Sequence, residues 1–155
     1  MSRQDEMTRL GFYGVAPFVF SAALMWLSPL VIPQWIALNI HTLILAYGGI
    51  IAAYLAGAGA GAGLRGHAPA PLLPGMIAAL AAWFAIWPSG FLTFSVPAAW
   101  RYLILIVVFV WLAMRDLRSA HDFPSWYGPL RVRLTFWTCV SLVLIMARLL
   151  VWRHY

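Results

Sequence analysis

The chain has 155 residues, of which 64% are hydrophobic and 9% are charged, and its mean hydropathy is +0.87. The polar side chains are too few to cover the surface of a water-soluble domain. The composition therefore predicts a membrane protein. The net charge of +6 results from ten arginines and four acidic residues. The arginines lie at the ends of apolar runs and form no basic stripe that could bind nucleic acid. The single Cys139 excludes an intrachain disulfide and a thiolate metal cluster.

The first two apolar runs each predict a transmembrane helix, because a hydrocarbon core of about 30 Å takes roughly 20 helical residues. The run 11–30 is longer than the apolar region of a signal peptide, so we expect it to be a retained span. The run 35–57 continues into the sequence YLAGAGAGAGLRG at 54–66. No Gly-Lys-Ser/Thr follows the glycines, and a strand would leave backbone groups unpaired in lipid. We therefore predict a helix here and not a phosphate loop.

The glycines of this helix predict a packing seam. An α-helix turns about 100° per residue, which puts Gly57 and Gly61 on one side, with Gly59 and Gly63 nearly opposite. Small residues let backbones approach closely, so we predict close helix packing at Gly57 and Gly61. We expect the helix to fray near Gly63, at the cytoplasmic interface. The predicted seam, facing the bundle or a partner, comprises Gly49, Ala53, Gly57, Gly59, Gly61 and Gly63.

Three further runs complete five spans, at 72–87, 97–114 and 130–152. The third is short, with Pro74 in its first turn and Pro88 after its end. Residues 91–96 are too few to span and are expected to lie at the interface. No soluble segment is long enough to form a second domain, and segments within the bilayer should be helical, so we predict an all-α fold. It is a single-domain integral membrane bundle of five transmembrane helices over residues 1–155.

The charges predict how this bundle is oriented. Five crossings place the N-terminus and the loops 58–71 and 115–129 on one side, together with seven of the ten arginines. The positive-inside rule then predicts a cytoplasmic N-terminus and a periplasmic C-terminus in the bacterial inner membrane. Five tryptophans lie at the outer, periplasmic ends of the predicted spans and form an aromatic belt that agrees with this orientation: Trp26, Trp35, Trp87, Trp100 and Trp152.

Three stretches, in order along the chain, resemble the motifs of one family. LGFYGVAPF at 10–18 is similar to LGxxGxxPF, and YGGIIAAYL at 47–55 is similar to YGAxIxxFLGGxHWG. Asp116 followed by PSWYGPLRVRLT at 124–135 is similar to D…PxWYxxLRxxLT. These motifs resemble a small five-span membrane family of unknown function from proteobacteria, typified in animals by the mitochondrial transmembrane protein sixty-nine. The resemblance implies the fold but no reaction. The family's His-Trp is replaced here by Gly59-Ala60, so no role of that histidine transfers.

Polar side chains in the outer halves of the spans are candidate ligand-binding residues, because such groups are costly in lipid. In one interpretation they hold an anionic or carbonyl-bearing ligand such as a quinone or tetrapyrrole. In the other, the arginines snorkel to headgroups, and His41 and Asn39 bond to a neighbouring helix. The candidate residues are Asn39, His41, Trp87, Trp100, Arg101, Tyr102 and Arg148.

At the opposite membrane face, the fourth span ends in Arg115, Asp116 and Arg118, and the fifth begins near Arg131 and Arg133. Asp116 can pair with Arg131 or Arg133 across a short loop. An aspartate near a basic interface typically serves as a counter-charge, so we predict a structural ion pair that joins the fourth helix to the fifth.

The sequence favours a role without catalysis. It has no zinc spacing, no Ser-His-Asp set, no paired intramembrane carboxylates and a single intramembrane histidine, His41. We expect no enzymatic activity, no metal and no cofactor, and no acidic residue in mid-span suggests a proton pump. The favoured interpretation is an accessory or assembly subunit of a larger membrane complex, bound to a membrane-protein partner or to a second copy. The family that the motifs resemble includes mitochondrial proteins, so by analogy we expect the larger complex to be an energy-transducing one.

The alternative is a binder or carrier of a hydrophobic ligand, such as a quinone, a tetrapyrrole, a lipid or a sterol-like molecule. Five spans and nine tryptophans resemble the architecture of the tryptophan-rich sensory protein family. That family's first loop is echoed only by Pro33-Gln34-Trp35. A passive channel is a third option, for which the sequence offers no ring of polar residues.

Overall fold

A computed structural model of the chain describes residues 3–65, 73–86, 97–118 and 124–152. All regular secondary structure in these ranges is α-helical, which confirms the predicted fold class for this part of the chain. The helices are α1 (Arg3–Leu27), α2 (Gln34–Arg65), α3 (Leu73–Ala85), α4 (Ala98–Arg118) and α5 (Tyr127–Trp152).

Four of these helices, α1, α2, α4 and α5, are long and apolar enough to cross a membrane. Helix α3 has 13 residues, or roughly 20 Å at 1.5 Å per residue, and is shorter than the other four. The four long apolar helices support the multi-pass membrane protein that the composition predicts.

The helix ends differ from the predicted spans in ways that local chemistry explains. Helix α1 starts eight residues earlier than predicted, and Asp5 and Glu6 lie in its first turn, where the helix dipole favours negative charge. Helix α2 continues through the whole glycine run to Arg65, so the fraying expected near Gly63 is not seen. Helix α3 has Pro74 in its first turn, as predicted. Residues 87–96, with Trp87 and the predicted interfacial segment, lie outside the described residues.

Helix α4 lies in the middle of the bundle and packs against α2, α3 and α5, while α1 packs against α5 and α2. The core includes Phe18, whose ring meets Phe109 edge-on with 6.0 Å between centroids. A Cβ at Gly48 would lie 3.0 Å from Leu105 Cδ1 and 3.5 Å from Phe18 Cε1. The missing side chain at Gly48 therefore lets α1, α2 and α4 meet at one point.

Helices α3 and α4 are antiparallel and join the same two levels of the bundle. At one level, Arg101 at the start of α4 donates to the Ala85 carbonyl at the end of α3. At the other, Arg115 near the end of α4 lies against Gly75 at the start of α3. We call these levels the Arg101 end and the Arg115 end. They are roughly 21 Å apart, since 14 helical residues separate the two arginines.

Helices α1 and α5 run parallel, from the Arg115 end to the Arg101 end. Gly11 lies against Leu134 near their starts, and Trp26 Nε1 donates to the Leu144 carbonyl at 3.1 Å near their other ends. Helix α2 runs the opposite way, from His41 beside Tyr102 at the Arg101 end to Gly59 beside Arg115, so successive helices along the chain alternate in direction.

The first two motifs meet between α1 and α2. Pro17 lies inside α1, where it has no N–H to donate and disturbs the preceding turn. In that turn the Gly14 carbonyl accepts a hydrogen bond of 2.9 Å from the Tyr47 hydroxyl. The carbonyl that Pro17 leaves without its helical donor is that of Tyr13, so the Tyr47 bond lies one residue beyond it and joins α2 to α1 beside the proline.

Candidate functional site

Two arginines share one buried carboxylate at the Arg115 end. Arg131 Nε donates to Asp116 Oδ2 at 2.9 Å, and Arg115 Nη2 lies 3.6 Å from Asp116 Oδ1. Asp116 is 8% exposed and Arg131 is 5% exposed, so this pair is buried between α4 and α5. Thr135 lies one turn beyond Arg131 on the same face of α5 and is also buried. We call these four residues the arginine cluster.

Of the two predicted partners of Asp116, the structure places Arg131 against it and leaves Arg133 exposed. Two residues along a helix correspond to a rotation of about 200°, so Arg131 and Arg133 lie on opposite sides of α5. The cluster therefore contains two guanidinium groups and one carboxylate, and it carries a net charge of +1.

Two glycines make room for the Arg115 side chain. A Cβ at Gly59 of α2 would overlap the Arg115 guanidinium, and a Cβ at Gly75 of α3 would lie 3.1 Å from Arg115 Nη1. Arg115 therefore fills a slot between α2 and α3, with its side chain 22% exposed. This slot was not predicted, because the glycines were assigned to backbone packing. The arginine directly before the aspartate of the predicted ion pair is the signal that could have indicated it.

The predicted seam on α2 has two parts, one packed against α3 and one that meets no described residue. At Gly49, a Cβ would lie 2.7 Å from Ile86 Cγ2 and 3.3 Å from the Ala82 carbonyl oxygen, so α3 approaches closely there. At Gly57 and Gly61, a Cβ would meet nothing within 4 Å in the described part of the chain. Among the described residues, therefore, no neighbouring helix packs closely at these two glycines.

Helix geometry explains this difference between the two parts of the seam. Residues spaced by four drift about 40° around a helix per step, so Gly61 is turned by roughly 120° from Gly49. The seam begins against α3 and ends on a face that no other described helix covers. Ala53 is also exposed, and the surroundings of Gly63 lie outside what the structure describes. We call Ala53, Gly57 and Gly61 the open face of α2.

At the Arg101 end, His41 of α2 and Tyr102 of α4 bond to each other. The Tyr102 hydroxyl lies 2.8 Å from His41 Nδ1 and 3.2 Å from the His41 carbonyl oxygen, to which it can donate. Tyr102 is fully buried. This contact joins α2 to α4 across the core.

The two arginines at this end cap helix C-termini. Arg101 Nε donates to the Ala85 carbonyl at 2.7 Å, at the end of α3. Arg148 donates from Nε to the Met25 carbonyl at 3.4 Å and from Nη2 to the Ser28 carbonyl, at the end of α1. The last carbonyls of a helix have no intrahelical donors and carry partial negative charge, which a guanidinium satisfies.

The structure does not gather the seven predicted pocket residues into one pocket. Asn39 donates to the Trp35 carbonyl of its own helix and is exposed, and Trp100 is 60% exposed. Arg148 lies instead between two indole rings, with Cζ 5.4 Å from the Trp26 ring centroid and 5.2 Å from that of Trp152. Trp87 is outside the described residues.

A groove of about 390 Å³ opens beside Arg148, lined by Ser28, Pro29, Gln34, Arg148, Val151 and Trp152. Its size is within the range of small-ligand sites, which are typically about 300–1,000 Å³. It lies between α1, the start of α2 and the end of α5.

Unpaired polar atoms concentrate in the arginine cluster. Four buried side-chain nitrogen or oxygen atoms have no hydrogen-bond partner among the described residues, and three of them belong to this cluster. They are Arg115 Nη2, Arg131 Nη2 and Thr135 Oγ1, and the fourth is Ser28 Oγ beside the groove. Over the same residues, no three His, Cys, Asp or Glu side chains are grouped to hold a metal ion.

Comparison with known proteins identifies a family. The model of the family described as protein of unknown function (DUF3429) matches residues 4–147, which include all three motifs and the whole arginine cluster. The chain therefore belongs to this family. No curated protein and no solved structure matches the chain significantly.

Proposed function

We propose that this DUF3429 protein is a non-catalytic accessory or assembly subunit of a larger membrane complex. In this proposal, the open face of α2 docks against a transmembrane helix of a partner protein. The supporting observation is that Gly57 and Gly61 face away from every described helix, although they have the spacing of a helix-packing motif.

The chemistry of the open face favours a helix over lipid as its occupant. Acyl chains pack equally well against leucine, whereas glycine at two positions four residues apart allows another backbone to approach closely. A glycine costs a helix about 1 kcal/mol relative to alanine in water. That cost is smaller in lipid, where no solvated backbone competes with the helix, so the support for a partner helix is the close approach that the two glycines allow.

The proposal includes five membrane crossings. Helix α3 is short, but it joins the Arg101 end to the Arg115 end in antiparallel contact with α4, as a crossing helix would. The arginine distribution then favours a cytoplasmic N-terminus and a periplasmic C-terminus in the bacterial inner membrane. The resemblance to the mitochondrial transmembrane protein sixty-nine suggests an energy-transducing complex as the partner.

Substituting leucine for Gly57 or Gly61 should abolish binding of the partner protein without unfolding this chain. Each substitution places a bulky side chain where the partner backbone is proposed to lie, while nothing in the described chain lies within 4 Å. Purification in mild detergent should recover a companion protein with the wild type and lose it with Gly57→Leu. The matched control is Ala23→Leu, another change from a small exposed residue to leucine, on α1. Equal recovery of the companion by all three proteins would contradict the proposal.

A second candidate function, binding of a hydrophobic ligand, is favoured by the groove beside Arg148. The guanidinium lies between two tryptophan rings, and the buried Ser28 hydroxyl is unbonded in the described structure. A carbonyl-bearing ligand such as a quinone would find an apolar wall and a hydrogen-bond donor there.

Solvent extraction of the purified protein tests this second candidate. A bound quinone or tetrapyrrole should appear in the absorbance spectrum of the extract at a constant ratio to protein. Ser28→Ala should lower that ratio, because it removes a hydroxyl that lines the groove. Thr42→Ala is a control, since Thr42 is exposed and donates to the Leu38 carbonyl of its own helix. An extract without chromophore from the wild type would eliminate ligand binding of this kind.

A further inference from the structure

We infer that the arginine cluster binds a phosphate group that carries a net negative charge. Its residues are Arg115 and Asp116 of α4 and Arg131 and Thr135 of α5. The inference concerns a different part of the molecule from the open face of α2, and it does not depend on the partner proposed above.

The first argument is the charge of the cluster. Both guanidinium groups lie at oxygens of the same carboxylate, with 2.9 Å from Arg131 Nε and 3.6 Å from Arg115 Nη2. One carboxylate neutralises one arginine, so one positive charge remains among largely buried groups. A buried charge is costly unless it is paired, and a bound anion would pair it.

The second argument is the set of free donors. Arg131 Nη2, Arg115 Nη2 and Thr135 Oγ1 are buried and unbonded in the described residues. A guanidinium has five N–H donors in a planar fork, a geometry that suits phosphate oxygens. A phosphate offers several acceptor oxygens and can serve two guanidinium groups and a hydroxyl at once. Asp116 accepts a hydrogen bond from Arg131 Nε and lies 3.6 Å from Arg115 Nη2, beyond hydrogen-bond distance, so all three donors still have a hydrogen bond to make with the ligand.

The third argument is access from the membrane interface. The cluster lies in the last turn of α4, which carries Arg115, Asp116 and Arg118. Charged ends of membrane helices typically lie at the level of the lipid headgroups, which puts the cluster within their reach. The Arg115 side chain is 22% exposed and lies between α2 and α3, where Gly59 and Gly75 leave room for it. Basic pockets between transmembrane helices bind anionic headgroups in this way.

The ligand phosphate can come from an anionic phospholipid or from free phosphate, and one experiment distinguishes these sources. The full chain is purified in neutral detergent without phosphate, and its thermal unfolding is followed by tryptophan fluorescence. One set of samples receives inorganic phosphate, with chloride at equal ionic strength as reference. The other set receives phosphatidylglycerol, with phosphatidylcholine as reference. We expect the unfolding temperature to rise with one or both probes, because a ligand that binds only the folded state stabilises it. The effective probe identifies the source.

Variants test whether the arginine cluster is the site. Arg115→Gln should weaken binding of the effective probe by roughly tenfold or more, because charge-assisted hydrogen bonds are lost. Thr135→Val, which keeps the side-chain shape, should weaken binding by roughly two- to tenfold, because one neutral hydrogen bond is lost. The control Arg118→Gln removes the same charge from an exposed position at the end of α4 and should bind like the wild type.

The inference is wrong if neither probe raises the unfolding temperature of the wild type, since water would then satisfy the free donors. It is also wrong if Arg118→Gln loses as much affinity as Arg115→Gln, since the effect would then be one of net charge. Should Arg115→Gln fail to fold, Thr135→Val decides, and wild-type affinity in that variant overturns the inference.

Discussion

Replacing Arg131 with glutamine should lower the free energy of unfolding by about 3–5 kcal/mol, the usual cost of breaking a buried ion pair from one side. Arg131 is 5% exposed and donates to Asp116 at 2.9 Å, so the substitution leaves a buried carboxylate with Arg115, at 3.6 Å, as its ion-pair partner among the described residues. Asp116→Asn should also be destabilising, because it leaves two guanidinium groups without a counter-charge. Reversible unfolding in a sodium dodecyl sulfate titration, followed by tryptophan fluorescence, measures both changes.

The double variant Asp116→Leu with Arg131→Met makes this prediction specific. The double variant removes one guanidinium together with the carboxylate and leaves Arg115 alone without a counter-charge, whereas Asp116→Asn leaves two guanidinium groups, so the double variant should be more stable than Asp116→Asn. Arg133→Gln is the matched control, since Arg133 is exposed two residues away on α5. A cost for Arg131→Gln no larger than that of Arg133→Gln would show that the pair does not stabilise the bundle.

Leucine at Gly49 should be the second most damaging substitution. A Cβ there would lie 2.7 Å from Ile86 Cγ2 and 3.3 Å from the Ala82 carbonyl oxygen, and leucine adds three more carbon atoms. Because one of these contacts is to backbone, α2 and α3 must move apart to accommodate the side chain. Overpacking of this kind costs about 1–3 kcal/mol, measured in the same titration.

The control for Gly49→Leu is Gly57→Leu, which makes the same change two turns later on the same helix. No described atom lies within 4 Å of a Cβ at Gly57, and leucine has a higher helix propensity than glycine. The unfolding free energy of Gly57→Leu should therefore equal or exceed that of the wild type. If both variants lost the same stability, the division of the α2 seam into a packed part and an open face would be wrong.

Hydropathy and helix signals predict much of the fold. The apolar runs of about 20 residues became four long helices, and Pro74 falls in the first turn of α3, as proline geometry favours. The ends of α1 and α2 were underestimated because hydropathy marks the part of a helix that lies in lipid, whereas hydrogen bonding continues into polar residues. Helix α1 thus starts at Arg3, and α2 ends at Arg65.

The sites were harder to predict, because they depend on how each helix is rotated. The sequence left Arg131 and Arg133 as equal partners for Asp116, and only the orientation of α5 distinguishes them. In the same way, glycines two residues apart in α2 meet different surroundings: Gly59 borders Arg115, whereas Gly57 faces open space. The arginines at the Arg101 end could not be identified as helix caps until the ends of α1 and α3 were placed beside them.

The central claim, a subunit that docks through the open face of α2, is tested most directly by the mass of the native particle. The protein is extracted from its own membrane in a mild detergent and weighed by native mass spectrometry. The chain has a mass of 17.3 kDa. We expect the wild type to carry a different membrane protein at a fixed ratio, and Gly57→Leu to give the bare chain. A wild-type particle containing the 17.3 kDa chain alone, or only multiples of it, would contradict the claim.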